Sequence, residues 1–380
     1  MKEKSAFWEN SDIADIAGKV LSGDRLNRED GIALFKSNDL LQIGALADEL
    51  QRQKNGDVVT FVVNRHINYT NVCVSGCKFC AYYRREGEPG AYTLSMDDIM
   101  KKIDDSAGLG ITELHVVGSH HPDLPFEFYV DMLEQIHEKY PDIHIKAFTA
   151  AEIEYFSRIS GHGTRDVLKR LKNAGLKSLP GGGAEIFNEA LRKKVCPNKI
   201  TGEGWIRVME EAHSLGIKSN ATMLFGHVER EEDRVDHLIR LREAQEKSGG
   251  FQGFIPLPFH PANTALLREG LVSETGPSGS DILKTISISR IMLEGYIDNI
   301  RAYWIMTGKK LAQIALHYGA NDIDGTVIEE NITHAAGANT EEFLPKSEII
   351  DMIQRAGRIP AQRTTTYEIV DYYEDRTNEI

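Results

Sequence analysis

The chain is poor in long apolar runs: no stretch approaches the roughly 18 apolar residues of a membrane span. Its opening, MKEKSAFWENSDIADIAGKV, also lacks the apolar core of about 7–15 residues that marks a secretory signal. A cytoplasmic protein with no membrane partner is the expectation. Cysteine is scarce, four in 380 residues, too few for a disulfide framework. No run of Lys or Arg forms a phosphate-tracking stripe and the formal net charge is -13, which argues against a nucleic-acid partner. No G-x-G-x-x-G follows the first strand candidate, which disfavours a doubly wound dinucleotide fold. Repeats and low-complexity segments are absent as well.

What remains is ordinary globular composition, 41% hydrophobic and 27% charged. The length suits one barrel of about 250 residues with additions, or two smaller domains. Residues 1 to about 55 read as helices: Ile13, Ile16, Val20 and Leu21 recur at helical spacing, Asn27 to Asp30 gives a polar start, and Leu41, Ile43, Leu46 and Leu50 follow.

From there strand and helix candidates alternate. The strands are Val58–Val63, Leu114–Val117, Ile143–Phe148, Leu176–Leu179, Ile217–Phe225, Phe251–Pro256, Ile300–Met306 and a weak one at Gly325–Ile328. Helical spacing marks Ser95–Ala107, Phe126–Lys139, Thr164–Ala174, Gly204–Leu215, Glu231–Lys247, Asp281–Tyr296 and Lys309–His317. The alternation predicts an α/β fold, a TIM-like (β/α)8 barrel or a partial (β/α)6 version, with an N-terminal helical cap. The expected divisions are an N-terminal helical extension over 1–56, the barrel over 57–340, and a C-terminal helix and tail over 341–380. Gly270–Gly279 reads as a long loop and Tyr372–Ile380 as a frayed end.

Three of the four cysteines, Cys73, Cys77 and Cys80, sit at C-x3-C-x2-C spacing just after the first strand. Three thiolates so close would grip one inorganic centre. A structural zinc would want a fourth ligand, whereas an iron–sulfur cluster held by three cysteines leaves one iron open. A disulfide between Cys73 and Cys80 is the weaker alternative in a reducing compartment. Cys196 reads as a packed thiol.

The loop Cys73-Val-Ser-Gly-Cys77-Lys-Phe-Cys80 resembles the signature of the radical S-adenosylmethionine enzymes. Within that superfamily the chain resembles the aminodeoxyfutalosine synthase family of the futalosine route to menaquinone. The resemblance rests on Asn64–Asn71, His121–Pro125, Lys146–Thr149, Pro180–Glu185, Ala221–His227, Phe254–His260 and Asp322–Val327. Siblings, the dehypoxanthine futalosine cyclase and the deazaflavin synthases, share the cysteine loop and the Gly-Gly-Gly-Ala-Glu segment. Lys146–Thr149 and Leu257–His260 favour the synthase.

This resemblance implies a 4Fe–4S cluster on Cys73, Cys77 and Cys80, with S-adenosylmethionine on the open iron beside Phe79. The turn Gly118-Ser119 would offer backbone to the methionyl amine, although here no glutamate follows it. Glu185 would accept the ribose hydroxyls, and Arg192, two helical turns on, would meet the methionyl carboxylate. The substrate implied is a dicarboxylate, the enolpyruvyl ether of 3-hydroxybenzoate. Arg65, Lys146, His227 and Arg301 are the expected contacts for its carboxylates, and His66, His260 and Asp324 the acid–base candidates. Glu329 is either an acid–base group or a helix cap. Tyr69, Phe79, Phe148, Phe259 and Tyr303 would wall the site. The 5′-deoxyadenosyl radical would add to the vinyl carbon, and rearrangement with loss of a carboxyl would give 6-amino-6-deoxyfutalosine, so an external one-electron donor of flavodoxin or ferredoxin type is implied. The alternatives are the sibling cyclase, a deazaflavin-synthase-like enzyme and a zinc-stabilised binding barrel.

Overall fold

A computed structural model describes residues 7–373. Ten strands follow in chain order: β1 (Val58–Val62), β2 (Asn64–Ile67), β3 (Glu113–Val116), β4 (His144–Ala147), β5 (Ser178–Leu179), β6 (Lys218–Phe225), β7 (Phe251–Pro258), β8 (Asp322–Gly325), β9 (Ile359–Arg363) and β10 (Ile369–Tyr372). Strands β2 to β7 pair in sequence order, all parallel, as a curled six-stranded sheet with helices between them. The remaining gap is spanned by single bridges, Phe254 to Ile300 and Arg301 to Asp322, and β8 then pairs with β1, which runs straight into β2. The ring of strand positions is therefore continuous, although two of them, β5 and Ile300–Arg301, are only two residues long.

Three sequence expectations need correction. The apolar run Ile300–Met306 is not a strand: it contributes the bridges at Ile300 and Arg301 and then coils into a short helix, Trp304–Thr307. The last barrel strand lies at Asp322–Gly325, ahead of the expected 325–328. Tyr372 is not frayed, because β10 pairs antiparallel with β9, which itself lies parallel to β1; residues 374–380 of the expected tail lie outside the described residues. The hairpin puts Arg363 against Asp322 and the Tyr367 hydroxyl against Arg301, below the amino ends of the strands.

Local rules explain where helices begin. Asn27 with Asp30, Ser95 with Asp98 and Thr149 with Glu152 each form a reciprocal capping box. The helix Ala150–Ser160 follows β4 through Phe148, whose φ is 61°, with Thr149 as its N-cap. The N-terminal helix Leu40–Asn55 lies along the outer helix Gly279–Leu293, with ion pairs such as Arg28–Asp236 binding this layer to the barrel.

Each sheet face has its own chemistry. Leu114, Val116, Ile145, Ala147, Ala221, Met223 and Phe225 pack with the helices in one apolar core. The alternate positions, Glu113, His115, Lys146, Thr222 and Asp324, face inward with His66 and Arg301. Parallel strands are usually apolar on both faces; this interior is polar and buried, so its charges need partners within it.

Candidate active site

A cavity of about 310 Å³ occupies the barrel mouth at the carboxyl ends of the strands. Cys73, Cys77 and Cys80 all line it, and all are free thiols. Their loop is pinned on several sides. The Cys73 amide donates to the Arg84 carbonyl (3.0 Å), Val74 to His120 (3.0 Å) and Lys78 to Val195 (2.7 Å). Ser75 Oγ meets His120 Nδ1 at 2.6 Å. Burial pushes the Cys77 and Cys80 thiols up, against the pull of nearby Lys199.

Among the described residues no three His, Cys, Asp or Glu side chains close around a point that one metal ion would occupy. A closed tetrahedral zinc site would look otherwise. Three free thiols lining one cavity, with no fourth protein ligand grouped with them among the described residues, fit a cluster carried on three cysteines.

The glycine segments come close to this centre for steric reasons. At Gly118 a Cβ would collide with the Tyr69 ring, and the Gly118 amide donates to Glu152 Oε1 (3.0 Å), which also accepts from the Tyr69 hydroxyl (2.6 Å). At Gly181, φ is +94° and a Cβ would stand 2.5 Å from the Asn220 carbonyl oxygen. Glu185 lines the cavity, ion-paired with Lys199 at 2.5 Å; Lys199 is pushed above its ordinary value, with Glu185 the largest raising influence against desolvation.

The expected site residues divide sharply. Gly118, Ser119, Phe79, Glu185, His66, His260, Asp324 and Arg301 reach the cavity with the three cysteines. Arg192 does not: its buried guanidinium donates to the carbonyls of Gly183, Ala184, Ile186 and Ile200, so it clamps the glycine turn from behind. Lys146 is buried below the cavity against Glu113, Arg65 is held by Ser106 and Glu329, and His227 is buried beside Glu229. Glu329 is thus a counter-ion, shared with Lys102. Arg301 reaches the cavity with its charge already spent: it contacts Asp322 at 2.9 Å, Asp324, and the Tyr367 hydroxyl at 2.9 Å. Asp324 is correspondingly committed to Arg301. Of the expected walls Phe79, Phe259 and Tyr303 line the space, while Tyr69 and Phe148 lie in the core behind.

Sequence reading missed His115, His120, Glu152 and Lys199, all of which line the cavity. Glu152 had a signal, the Thr149-x-x-Glu152 capping pattern. His115 had a weaker one, as an inward position of a strand already identified. Lys199 had none, being brought in by the fold of a loop.

Comparison with known proteins agrees with this geometry. The radical SAM superfamily model matches residues 67–241, and the CofH/MqnC C-terminal region matches 248–376. The chain is 42% identical to the aminodeoxyfutalosine synthase of Thermus thermophilus, over 94% of this chain and 96% of that one. It is 43% identical to the Streptomyces coelicolor enzyme of the same name, over 95% and 94%. The 5-amino-6-(D-ribitylamino)uracil–L-tyrosine 4-hydroxyphenyl transferase of Methanocaldococcus jannaschii is 41% identical, over 91% and 97%. In fold, the FeFe-hydrogenase maturase HydG of Carboxydothermus hydrogenoformans superposes with a TM-score of 0.72 at 17% identity, covering 93% of this chain and 80% of that one. Methylornithine synthase gives 0.71 at 18%, covering 91% and 97%.

Proposed function

Since the chain belongs to the radical S-adenosylmethionine enzymes, which work with a 4Fe–4S cluster and S-adenosylmethionine, we propose that its reaction is that of an aminodeoxyfutalosine synthase. The adenosyl group is joined to the enolpyruvyl ether of 3-hydroxybenzoate, and rearrangement with loss of a carboxyl gives 6-amino-6-deoxyfutalosine for menaquinone synthesis. One observation carries this reading: the two stretches that favour the synthase, Lys146–Thr149 and Leu257–His260, both deliver residues to the cavity, namely Thr149, Leu257, Phe259 and His260.

Cys73, Cys77 and Cys80 would hold the cluster, which with bound S-adenosylmethionine would supply the one-electron chemistry that yields a 5′-deoxyadenosyl radical. The protein's own task is confinement. A primary carbon radical attacks nearby C–H bonds, so the acceptor carbon must be held close and water kept out. Phe79, Leu257, Phe259 and Tyr303 form that apolar wall. Glu185, paired with Lys199, would accept the cofactor's ribose hydroxyls, and Arg192 holds the turn that carries Glu185. His260 donates through Nε2 to the Met306 carbonyl (2.9 Å), which leaves Nδ1 as an acceptor for a proton released late in the reaction. Burial keeps that imidazole neutral, its pKa lowered. An external one-electron donor completes the system.

A second reading is favoured by the near-equal identity of the archaeal 4-hydroxyphenyl transferases: joining of a tyrosine-derived fragment to a ribitylaminouracil. One experiment separates them. Anaerobically reconstituted protein is incubated with S-adenosylmethionine, a reductant and each candidate substrate, and the nucleoside products are weighed by mass spectrometry. The synthase yields an adduct retaining the adenosyl carbons. Free 5′-deoxyadenosine with a cyclised or tyrosine-derived product sinks the synthase assignment.

A further inference from the structure

The cations that a dicarboxylate substrate would be expected to meet are already neutralised by the protein. Arg301 is enclosed by Asp322 and Asp324, Lys146 by Glu113, Arg65 by Glu329 and Lys199 by Glu185. A carboxylate entering the deep end of the cavity finds two imidazoles instead. His66 on β2 and His115 on β3 are register partners, stacked with ring centroids 4.3 Å apart and planes at 27°. Both line the cavity, and neither imidazole ring makes a hydrogen bond to any described residue. His66 is 5% exposed and its Nε2 is buried without a partner. The other two cavity imidazoles are engaged, His120 with Ser75 and His260 with Met306. A buried polar nitrogen left unsatisfied costs free energy unless a ligand completes it.

We propose that His66 and His115 together seat a carboxylate of the substrate and take up one proton from solvent as it binds. The assignment rests on the reading that the substrate is an aryl carboxylate. The charged groups facing the pair are Glu113 and Lys146, Arg301 and Asp324, and Glu330. The first four neutralise one another pairwise, and Glu330 caps Ile332 and Thr333 beside His334. In the free site burial is the main influence that holds both imidazoles below their ordinary pKa, so they are neutral at pH 7. A carboxylate brought against them reverses that balance. Its charge favours the imidazolium, and an N–H···O bond to an ion is about twice as strong as a neutral one. The proton moves from water to a ring nitrogen, and the complex is an imidazolium–carboxylate pair with no net charge added to the cavity. The Tyr303 hydroxyl, which bonds no other described residue, lies in the same space as a further donor.

The test is calorimetry on the anaerobically reconstituted holoprotein with 3-hydroxybenzoate as probe, in buffers of different ionisation enthalpy. About one proton should be taken up per benzoate bound at pH 7, and Kd should weaken as pH rises from there, by about tenfold per pH unit at most. The uncharged 3-hydroxybenzyl alcohol should show no such slope. In His115→Gln and His66→Gln the proton uptake should vanish and benzoate affinity fall by about 10- to 100-fold at pH 7. A merely structural histidine would leave proton uptake unchanged. No proton uptake by the wild type, the same uptake in both variants, or no benzoate binding at millimolar concentration overturns the proposal. Proton-linked benzoate binding in a protein that makes a different nucleoside product would sink the synthase reading and leave this one standing. Synthase product without proton linkage would do the reverse.

Discussion

Cys77 is the buried member of the thiol trio, in one apolar cluster with Cys196, Leu224, Phe259 and Leu266, while Cys73 and Cys80 are half-buried. Replacing it with alanine removes one sulfur from an apolar contact, a cost of about 1 kcal/mol on the scale of small core deletions. It also leaves two thiolates where the cluster needs three. Cys77→Ala should therefore keep its thermal unfolding transition within a few degrees of the apo wild type and lose bound iron and sulfide, checked by scanning calorimetry and metal analysis. Variant protein that retains a full cluster complement would refute the ligand assignment. The cysteines were legible because ligand spacing is a local, one-dimensional signal. Arg192 was legible as important but not in its role: seven residues from Glu185 is two helical turns, yet Glu185 itself has φ 50° and the chain does not become helical until Glu189. Its guanidinium therefore points at carbonyls behind the turn. Lys146 and Arg301 were read as free cations because no spacing rule says that Glu113, Asp322 and Asp324 face them across the barrel.

At the scale of elements, the segment after β8 bends over the cavity and brings Glu330, Ile332, Thr333 and Ala336 to its lining. His334 ties that bend together, with Nδ1 on the Glu330 carbonyl and Nε2 on the Thr340 carbonyl, 2.9 Å away. Carbonyl oxygens only accept, so both ring nitrogens must carry protons. The imidazolium is stabilised first by its contact with the Glu330 side chain, and its pKa is pushed up to about 9. Because this folded value lies above the ordinary one near 6.5, its contribution is complete below about pH 6.5 and is lost as pH rises through about 9. Hydrogen exchange of the amides between residues 330 and 342 should accelerate over that upper range relative to the barrel strands, after correction for intrinsic rates. His334→Ala should show the faster exchange already at pH 7. Unchanged exchange in both comparisons would remove the imidazolium tie. The histidine was visible in sequence; the pair of carbonyls that makes it a cation was not.

For the whole molecule, the buried histidines set the acid limit. His120 and His237 are pushed down to about 3, and His144 and His213 to about 4, with burial the leading cause in each. Their folded values lie below the ordinary one, so the stability they contribute is complete above about pH 6.5 and is lost as pH falls toward 3–4. Each is worth about 1.4 kcal/mol per pH unit in that window, and four together about 5 kcal/mol per unit. Against a typical folding stability of about 5–15 kcal/mol, acid unfolding should reach its midpoint between about pH 4.5 and 5.5. Below that, the depressed carboxylates Glu185, Glu229 and Asp322 add their own loss. Circular dichroism against pH measures it. A folded plateau extending to pH 3 would show that these imidazoles reach water.

The chain by itself determined the strand–helix alternation, the helix Phe126–Lys139 at both ends, and the cysteine loop with the cluster it implies. These depend on periodicity and short spacing, which survive in one dimension. Tertiary structure decided how the ring closes, with Ile300–Arg301 supplying a strand position only two residues wide, and how the β9–β10 hairpin comes to pair with β1 some 300 residues earlier in the chain. It also decided which cations are neutralised and which two of the described cavity imidazoles, His66 and His115, are left without hydrogen-bond partners. The reason is electrostatic: in a buried polar interior a charge is defined by what faces it, and the facing groups come from strands far apart in sequence.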